Sequence, residues 1–187
     1  MRISVTLLSY EHGVIRQVLD VLAEIVRTSS IDKHFDHATE IVDFLDSYMD
    51  KFHHKKEERF VFLAAMISSP NLKPEIEELL NEHRRARQLL KIMIDETRHK
   101  GIKDLNRLSR SSRALVEHVT IHIQKEERSV FPKIEDAISI DEDIKVDEKC
   151  REFTRNRFGE DFHQVSEKFS FRIQDEVLGA GHYSGVA

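Results

Sequence analysis

The sequence contains no tryptophan, three prolines, six glycines and a single cysteine in 187 residues. Because Cys150 has no second cysteine to pair with, an intramolecular disulfide is excluded, and we expect a reducing, cytoplasmic location. No stretch approaches the ~18 consecutive apolar residues of a membrane span, and the N-terminal residues lack the pattern of a signal peptide. The scarcity of proline and glycine, which interrupt helices, favours a helical protein.

Charged residues are numerous but nearly balanced, at 34% of the chain with a formal net charge of −5. This balance favours neither a nucleic-acid partner nor a membrane surface, since both select an excess of positive charge. The basic segments HRRAR and RLSRSSR have acidic residues nearby, and we interpret them as solvated helix faces. The unusual count is eleven histidines.

Apolar residues recur at helical spacing along most of the chain. The pattern predicts four long helices at about 4–27, 34–68, 74–99 and 103–138. Their short connections predict an up-down-up-down four-helix bundle, and Gly101 is the expected C-cap of the third helix.

A weaker helical pattern follows the fourth helix, with a break expected at Gly159. The predicted fold class is therefore all-α, a four-helix bundle with an additional C-terminal helical segment. We expect the bundle to span 1–138, the C-terminal extension that packs on it to span 139–178, and a disordered tail to span 179–187.

The bundle sequence is internally duplicated. The segment HHKKEERFVFL, which begins at His53, is followed by the similar segment HIQKEERSVFP, which begins at His122. The dipeptide Glu-His occurs at 11–12 and again at 82–83, so its two copies are separated by nearly the same length of chain. The first two helices therefore match the third and fourth.

Histidine and glutamate interrupt each apolar stripe at corresponding places. Residues four apart lie on the same helix face, so each His/Glu pair on the second and fourth helices points one way. If the four stripes face one core, four imidazoles and two carboxylates converge, and buried carboxylates require pairing, neutralisation or metal. Nitrogen and oxygen donors without thiolate suit iron or manganese, with zinc as a substitute. The candidate metal ligands are His12, His53, Glu57, His83, His122 and Glu126.

Several neighbouring residues are weaker candidates. His118 lies one turn before the fourth-helix histidine and could be an additional ligand or a hydrogen-bond partner of one. His54, Glu58 and Glu127 lie about 100° around the helix from the ligands, so we expect them to be solvent-exposed. The alternative for these three is a hydrogen bond to a ligating imidazole. We interpret His163 as structural, or as part of a helix that closes the site.

The sequence around the candidate metal ligands resembles the hemerythrin-like family, the His-His-Glu cation-binding domain. The resemblance is to the diverged bacterial and archaeal branch of that family. The similar segments are LLSYEHGVIRQVLDVL, DFLDSYMDKFHHKKEERFVFL, LLNEHRRARQLL and LVEHVTIHIQKEERSVFP. The resemblance implies a four-helix bundle that holds two non-haem irons joined by an oxo or hydroxo bridge. It also implies that the four histidines are terminal ligands and that Glu57 and Glu126 are bridging carboxylates.

Two departures separate the sequence from the oxygen-carrying hemerythrins. Those proteins have a second histidine one turn after the first on the third helix, where this chain has Arg87. They also end the fourth-helix motif with His and Asp five apart, whereas His122 and Glu126 are four apart. The diverged branch is the nearer match, and reversible oxygen carriage is not the expected role.

The resemblance implies a di-iron protein that binds or reacts with O₂, peroxide or NO, in sensing, scavenging or detoxification. The alternative is an iron-handling or iron-centre repair protein that stores or donates iron. Both a gas-binding protein and a reductase remain open, with the binder as the first expectation. The expected partner is the small diatomic or peroxide ligand, and neither the redox partner nor the oligomeric state follows from the sequence.

Overall fold

The computed structural model describes residues 2–98 and 104–179. These residues form six helices and no strand, so the predicted all-α fold is confirmed. The helices are α1 (Ile3–Arg27), α2 (35–68), α3 (Lys73–Arg98), α4 (105–137), α5 (Ile140–Arg157) and α6 (Phe162–Leu178). Gly101 and the tail residues 180–187 lie outside the described residues.

Local sequence signals explain several helix ends. The Asp104 side chain accepts a hydrogen bond from the backbone N–H of Arg107 at the start of α4. Ser139 and Glu142 form a reciprocal capping box at the start of α5, which satisfies two backbone donors that the helix leaves unpaired. Gly159 has a φ of 95° between α5 and α6, a conformation that glycine adopts without strain, and the predicted break is found there.

The two helices that carry His/Glu pairs are not α-helical throughout. Helix α2 is π-helical at Leu45–His54 and Glu57–Val61, and α4 is π-helical at Glu126–Val130. A π-helix is bonded from residue i to i+5 and has more residues per turn, so neighbouring side chains diverge by a smaller angle. These widened turns coincide with the candidate ligands.

Two apolar clusters fill the bundle and leave the candidate ligands between them. On α2 the first cluster ends at Phe52 and the second begins at Val61. On α4 the first ends at Ile123 and the second begins at Val130. The polar residues therefore interrupt the core at one level of the bundle. Within the described ranges, none of the helices combines the length and the apolar character that a membrane span requires.

Helices α5 and α6 pack along α1. The buried Asp143 of α5 accepts hydrogen bonds from the backbone N–H groups of Ile3, at 2.6 Å, and Ser4, at 3.2 Å. On α6, the Ser170 hydroxyl donates to the Gln17 side chain at 2.8 Å. The C-terminal helices thus cover the first half of the duplicated bundle. The division of the chain into domains stays a prediction.

Candidate metal centre

The six predicted ligands lie together in the middle of the bundle. None of them is more than 3% exposed. One ligand atom from each of His12, His53, Glu57 and Glu126 lies within 4.8 Å of the others, and a second group of the same kind follows beside it. The second group consists of His54, Glu57, His83 and His122. Glu57 belongs to both groups, so two adjacent metal positions share a carboxylate.

Both glutamates direct one oxygen toward each position. Glu57 Oε1 lies 3.3 Å from His53 Nε2, and Glu57 Oε2 lies 3.4 Å from His83 Nε2. Glu126 Oε2 lies 3.2 Å from His12 Nε2, and its Oε1 lies 3.3 Å from His122 Nε2. This is the arrangement that two bridging carboxylates require.

The central polar atoms lack hydrogen-bond partners. Within the described part of the chain, the four oxygens of Glu57 and Glu126 and the Nε2 atom of His12 are buried with no hydrogen bond. An ionised carboxylate left in this state costs several kcal/mol, and metal coordination removes that cost. The donors are nitrogen and oxygen only, which suits iron, manganese or zinc. The residues present therefore fit a pair of divalent metals.

A ring of outer carboxylates holds the imidazoles. Each carboxylate can only accept, so each ring donates from Nδ1 and keeps the Nε2 lone pair for a metal. Four such contacts surround the centre: His12–Glu127 at 3.0 Å, His53–Glu11 at 2.9 Å, His83–Glu58 at 3.0 Å and His122–Glu82 at 2.8 Å. Glu58 and Glu127 thus follow the alternative interpretation, and their expected solvent exposure is wrong, because both are partly buried. Glu11 and Glu82, the glutamates of the repeated Glu-His dipeptide, were missed.

Each outer carboxylate is paired with a cation. Arg16 bonds Glu127, Lys56 bonds Glu11, Arg87 bonds Glu58 and Lys125 bonds Glu82. The two arginines are separated by the same offset as the two Glu-His dipeptides, and the two lysines by the same offset as the two longer repeated segments. The duplication therefore extends to the residues behind the ligands. Arg87 orients a carboxylate rather than approaching a metal.

His54 is the candidate ligand that sequence reasoning missed. Its predicted exposure is wrong, because it is 2% exposed and its ring stacks on His83 at a centroid distance of 3.9 Å. The widened π-helical turn lets both His53 and His54 face inward. In the second half of the repeat, the apolar and buried Ile123 corresponds to His54. This correspondence was the signal in the sequence that could have indicated a buried position.

His118 and His163 lie outside both groups. The Nε2 atom of His118 is 2.8 Å from the backbone carbonyl oxygen of Glu82, to which it donates. His163 lies on α6 beside the Tyr48 hydroxyl. His118 therefore has a hydrogen-bonding partner that accounts for its position without a metal.

The family model of the hemerythrin HHE cation-binding domain matches residues 4–134 and, in an overlapping match, residues 76–160. The first match alone covers more than two thirds of the chain. The chain belongs to this family. The second match begins in α3, in agreement with a repeat in which α3 and α4 correspond to α1 and α2. Searches of curated proteins and of solved structures found no match.

In this hemerythrin-like protein the electrostatics favour cations at the centre. Burial disfavours a charged His53 ring, but the charge of Glu57 and the hydrogen bond to Glu11 outweigh it and raise the pKa to about 9. Burial likewise opposes the charge of His122, while Glu126 and Glu82 raise its pKa to about 10. The family and the buried cluster together indicate a metal-binding site.

Proposed function

We propose that the protein binds two non-haem irons and uses them to bind or reduce O₂, peroxide or NO. One observation carries this proposal: two adjacent groups of donors share Glu57, and among the described residues the four oxygens of Glu57 and Glu126 have no hydrogen-bond partner. When bound, the irons supply the electrons with which a small ligand is held or reduced. A purely structural metal would not need two positions so close together.

The two positions are not equivalent. His54, His83 and His122 give one position three imidazoles, whereas His12 and His53 give the other only two. Glu57 and Glu126 reach both positions, so the position of His12 and His53 has fewer protein donors. A reactive metal keeps a coordination place for its ligand. We therefore assign ligand binding to the side of His12 and His53.

The surrounding residues orient the imidazoles and exclude water. Hydrogen bonds from Nδ1 to the outer carboxylates set the ring tautomers, and the paired cations offset the carboxylate charges. The Phe131 ring stacks on the His12 ring, with a distance of 5.5 Å between the ring centroids and an interplanar angle of 4°. Phe131 and Phe62 are at most 2% exposed and close one end of the site. Small apolar ligands can enter such a lining more easily than ions.

The test is anaerobic loading with ferrous iron, followed by metal analysis. The wild-type protein should hold about two irons per chain, and His53→Ala or Glu126→Ala should lower that content. His118→Ala is the matched control, since His118 is a histidine of α4 that lies in neither group, and it should keep both irons. Equal metal content in all of these proteins would overturn the proposal.

Stopped-flow spectra of the reduced, loaded protein then separate the possible activities. A band that forms with O₂ or NO and bleaches on degassing indicates reversible binding. Consumption of many equivalents of peroxide, O₂ or NO indicates a reductase. Rapid iron transfer to a chelator, without either reaction, would instead support the iron-handling role.

A further inference from the structure

Two tyrosines lie beside the centre, on the side that α5 and α6 cover. Tyr48 is fully buried on α2, one widened turn before His53, and its hydroxyl oxygen lies 2.5 Å from His163 Nδ1. Tyr10 is 54% exposed, and its ring centroid lies 5.2 Å from that of His163. The histidine of α6 thus connects a buried phenol with an exposed one.

The hydrogen bond joins a protonated phenol to a neutral imidazole. Burial raises the pKa of Tyr48 and lowers the pKa of His163, so the phenol is protonated and the imidazole is neutral. Among the described residues, His163 is the only hydrogen-bond partner of the Tyr48 hydroxyl, and the ring accepts from that hydroxyl at Nδ1 when its own proton is on Nε2. A phenol that donates to a neutral base can lose its proton when it is oxidised, without moving any heavy atom.

These tyrosines break the internal repeat. In the second half of the repeat, the exposed Glu117 takes the place of Tyr48, and Asn81 takes the place of Tyr10. Apart from His54, the ligand residues and their outer carboxylates obey the repeat, whereas the two phenols occur in one half only. That half holds His12 and His53, which supply the position with fewer protein donors.

We propose that Tyr48 is a one-electron relay between the metal centre and the surface, and that His163 receives its proton. This inference rests on the proposed redox function of the centre. In the forward step Tyr48 gives one electron to the oxidised centre, and its O–H proton passes to His163 Nδ1, which leaves a neutral tyrosyl radical and an imidazolium. In the return step an external one-electron donor, such as ascorbate or a phenol, supplies the electron through Tyr10, and His163 returns the proton.

The electron path has an inner end at the metal centre and an outer end at the surface. At the inner end, Tyr48 and His53 are both on α2, and Tyr48 lies less than about 8 Å from His53 along the helix axis. The Phe52 ring, with its centroid 5.1 Å from that of Tyr48, packs beside it. At the outer end, Tyr10 and His163 line a cavity of about 380 Å³ between α1, α2, α5 and α6, large enough for a small reductant.

The first test uses the iron-loaded full-length protein, mixed with peroxide and frozen at successive times for electron paramagnetic resonance. A tyrosyl radical signal should form in the wild-type protein and in Tyr10→Phe, and it should be lost in Tyr48→Phe. His163→Gln should lower its yield, because the proton then has no base. The same signal in Tyr48→Phe, or no signal in wild-type protein that consumes peroxide, would overturn the relay.

A second test separates the relay from the chemistry of the centre. Zinc-loaded protein, whose metal does not change oxidation state, is oxidised by a photogenerated ruthenium(III) complex. Tyr48 oxidation should be slower in D₂O, and that slowing should change in His163→Gln. If the iron-loaded protein reacts with none of O₂, peroxide and NO, the proposed function is wrong. A zinc-loaded protein in which Tyr48→Phe and wild type are oxidised at the same rate shows instead that the Tyr48–His163 pair is not redox-active.

Discussion

At the scale of single residues, each imidazole of the centre works together with two residues behind it. The ring donates to a carboxylate, and the carboxylate bonds a lysine or arginine, as in His122–Glu82–Lys125. The hydrogen bond fixes the tautomer. Burial raises the pKa of the Glu82 carboxyl, but the contacts with His122 and Lys125 outweigh burial and lower it. The carboxyl group therefore stays ionised. Metal affinity should therefore depend on residues that never touch the metal.

Glu82→Ala should weaken metal binding by about 10–100-fold, because His122 loses the acceptor that orients its ring. Competition with a chromophoric chelator measures this change. Glu78→Ala is the matched control: Glu78 lies one turn away on α3 and also bonds Lys125, but it is not the carboxylate that holds His122. An equal loss in both variants would show that Lys125, not the imidazole, controls affinity.

His54→Ala should lower affinity at one of the two metal positions and leave the other nearly unchanged. His54 belongs only to the group with His83 and His122, so the group with His12 and His53 keeps all its donors. A zinc titration followed by calorimetry should change from a tight step and a weaker one to two similar steps, because both positions then have two imidazoles. Two unaltered steps would show that His54 packs against His83 without ligating.

At the scale of the elements, the sequence pattern predicted the helices well but not their internal geometry. The four bundle helices begin and end within a few residues of their predicted ranges, because apolar periodicity indicates which face is buried. Periodicity does not distinguish an α-helical turn from a π-helical one over a few residues. The inward orientation of His54 depends on that distinction, so its burial could not be derived from the helical pattern alone.

Helix α5 also stabilises the start of α1. Asp143→Ala should lower the free energy of unfolding by about 1–3 kcal/mol, since it leaves the N–H groups of Ile3 and Ser4 without their buried acceptor. Urea denaturation measures the change. Asp141→Ala, an exposed residue of the same first turn, should cost less than about 1 kcal/mol, the usual range for a charge near a helix start.

At the scale of the whole molecule, the C-terminal helices make a duplicated site asymmetric. The side chains of Lys56 and Glu11 are each 6% exposed, whereas their counterparts Lys125 and Glu82 are 26% and 22% exposed. Helices α5 and α6 cover only the first pair. The carboxylate–cation pair behind His53 is thus more deeply buried than the pair behind His122, which strengthens electrostatic interactions within it.

Removing metal should destabilise the entire bundle, because Glu57 and Glu126 then lie buried without their compensating charge. Zinc at about 100 times its dissociation constant should stabilise the fold by about 2.7 kcal/mol per site. Thermal unfolding with and without a chelator measures this difference. In the double variant Glu57→Gln, Glu126→Gln the metal-dependent shift should disappear, and its persistence would contradict the assigned ligands.

The sequence by itself determined the helices, their buried faces and the six residues that interrupt them, because helical periodicity and an internal repeat are local properties of a chain. Only the tertiary structure decided which carboxylate holds which imidazole, since the partners of His83 and His12 lie on different helices and depend on the relative positions of those helices. It also decided that α5 and α6 cover one half of the repeat. That placement follows from long-range packing against α1, which no local pattern encodes.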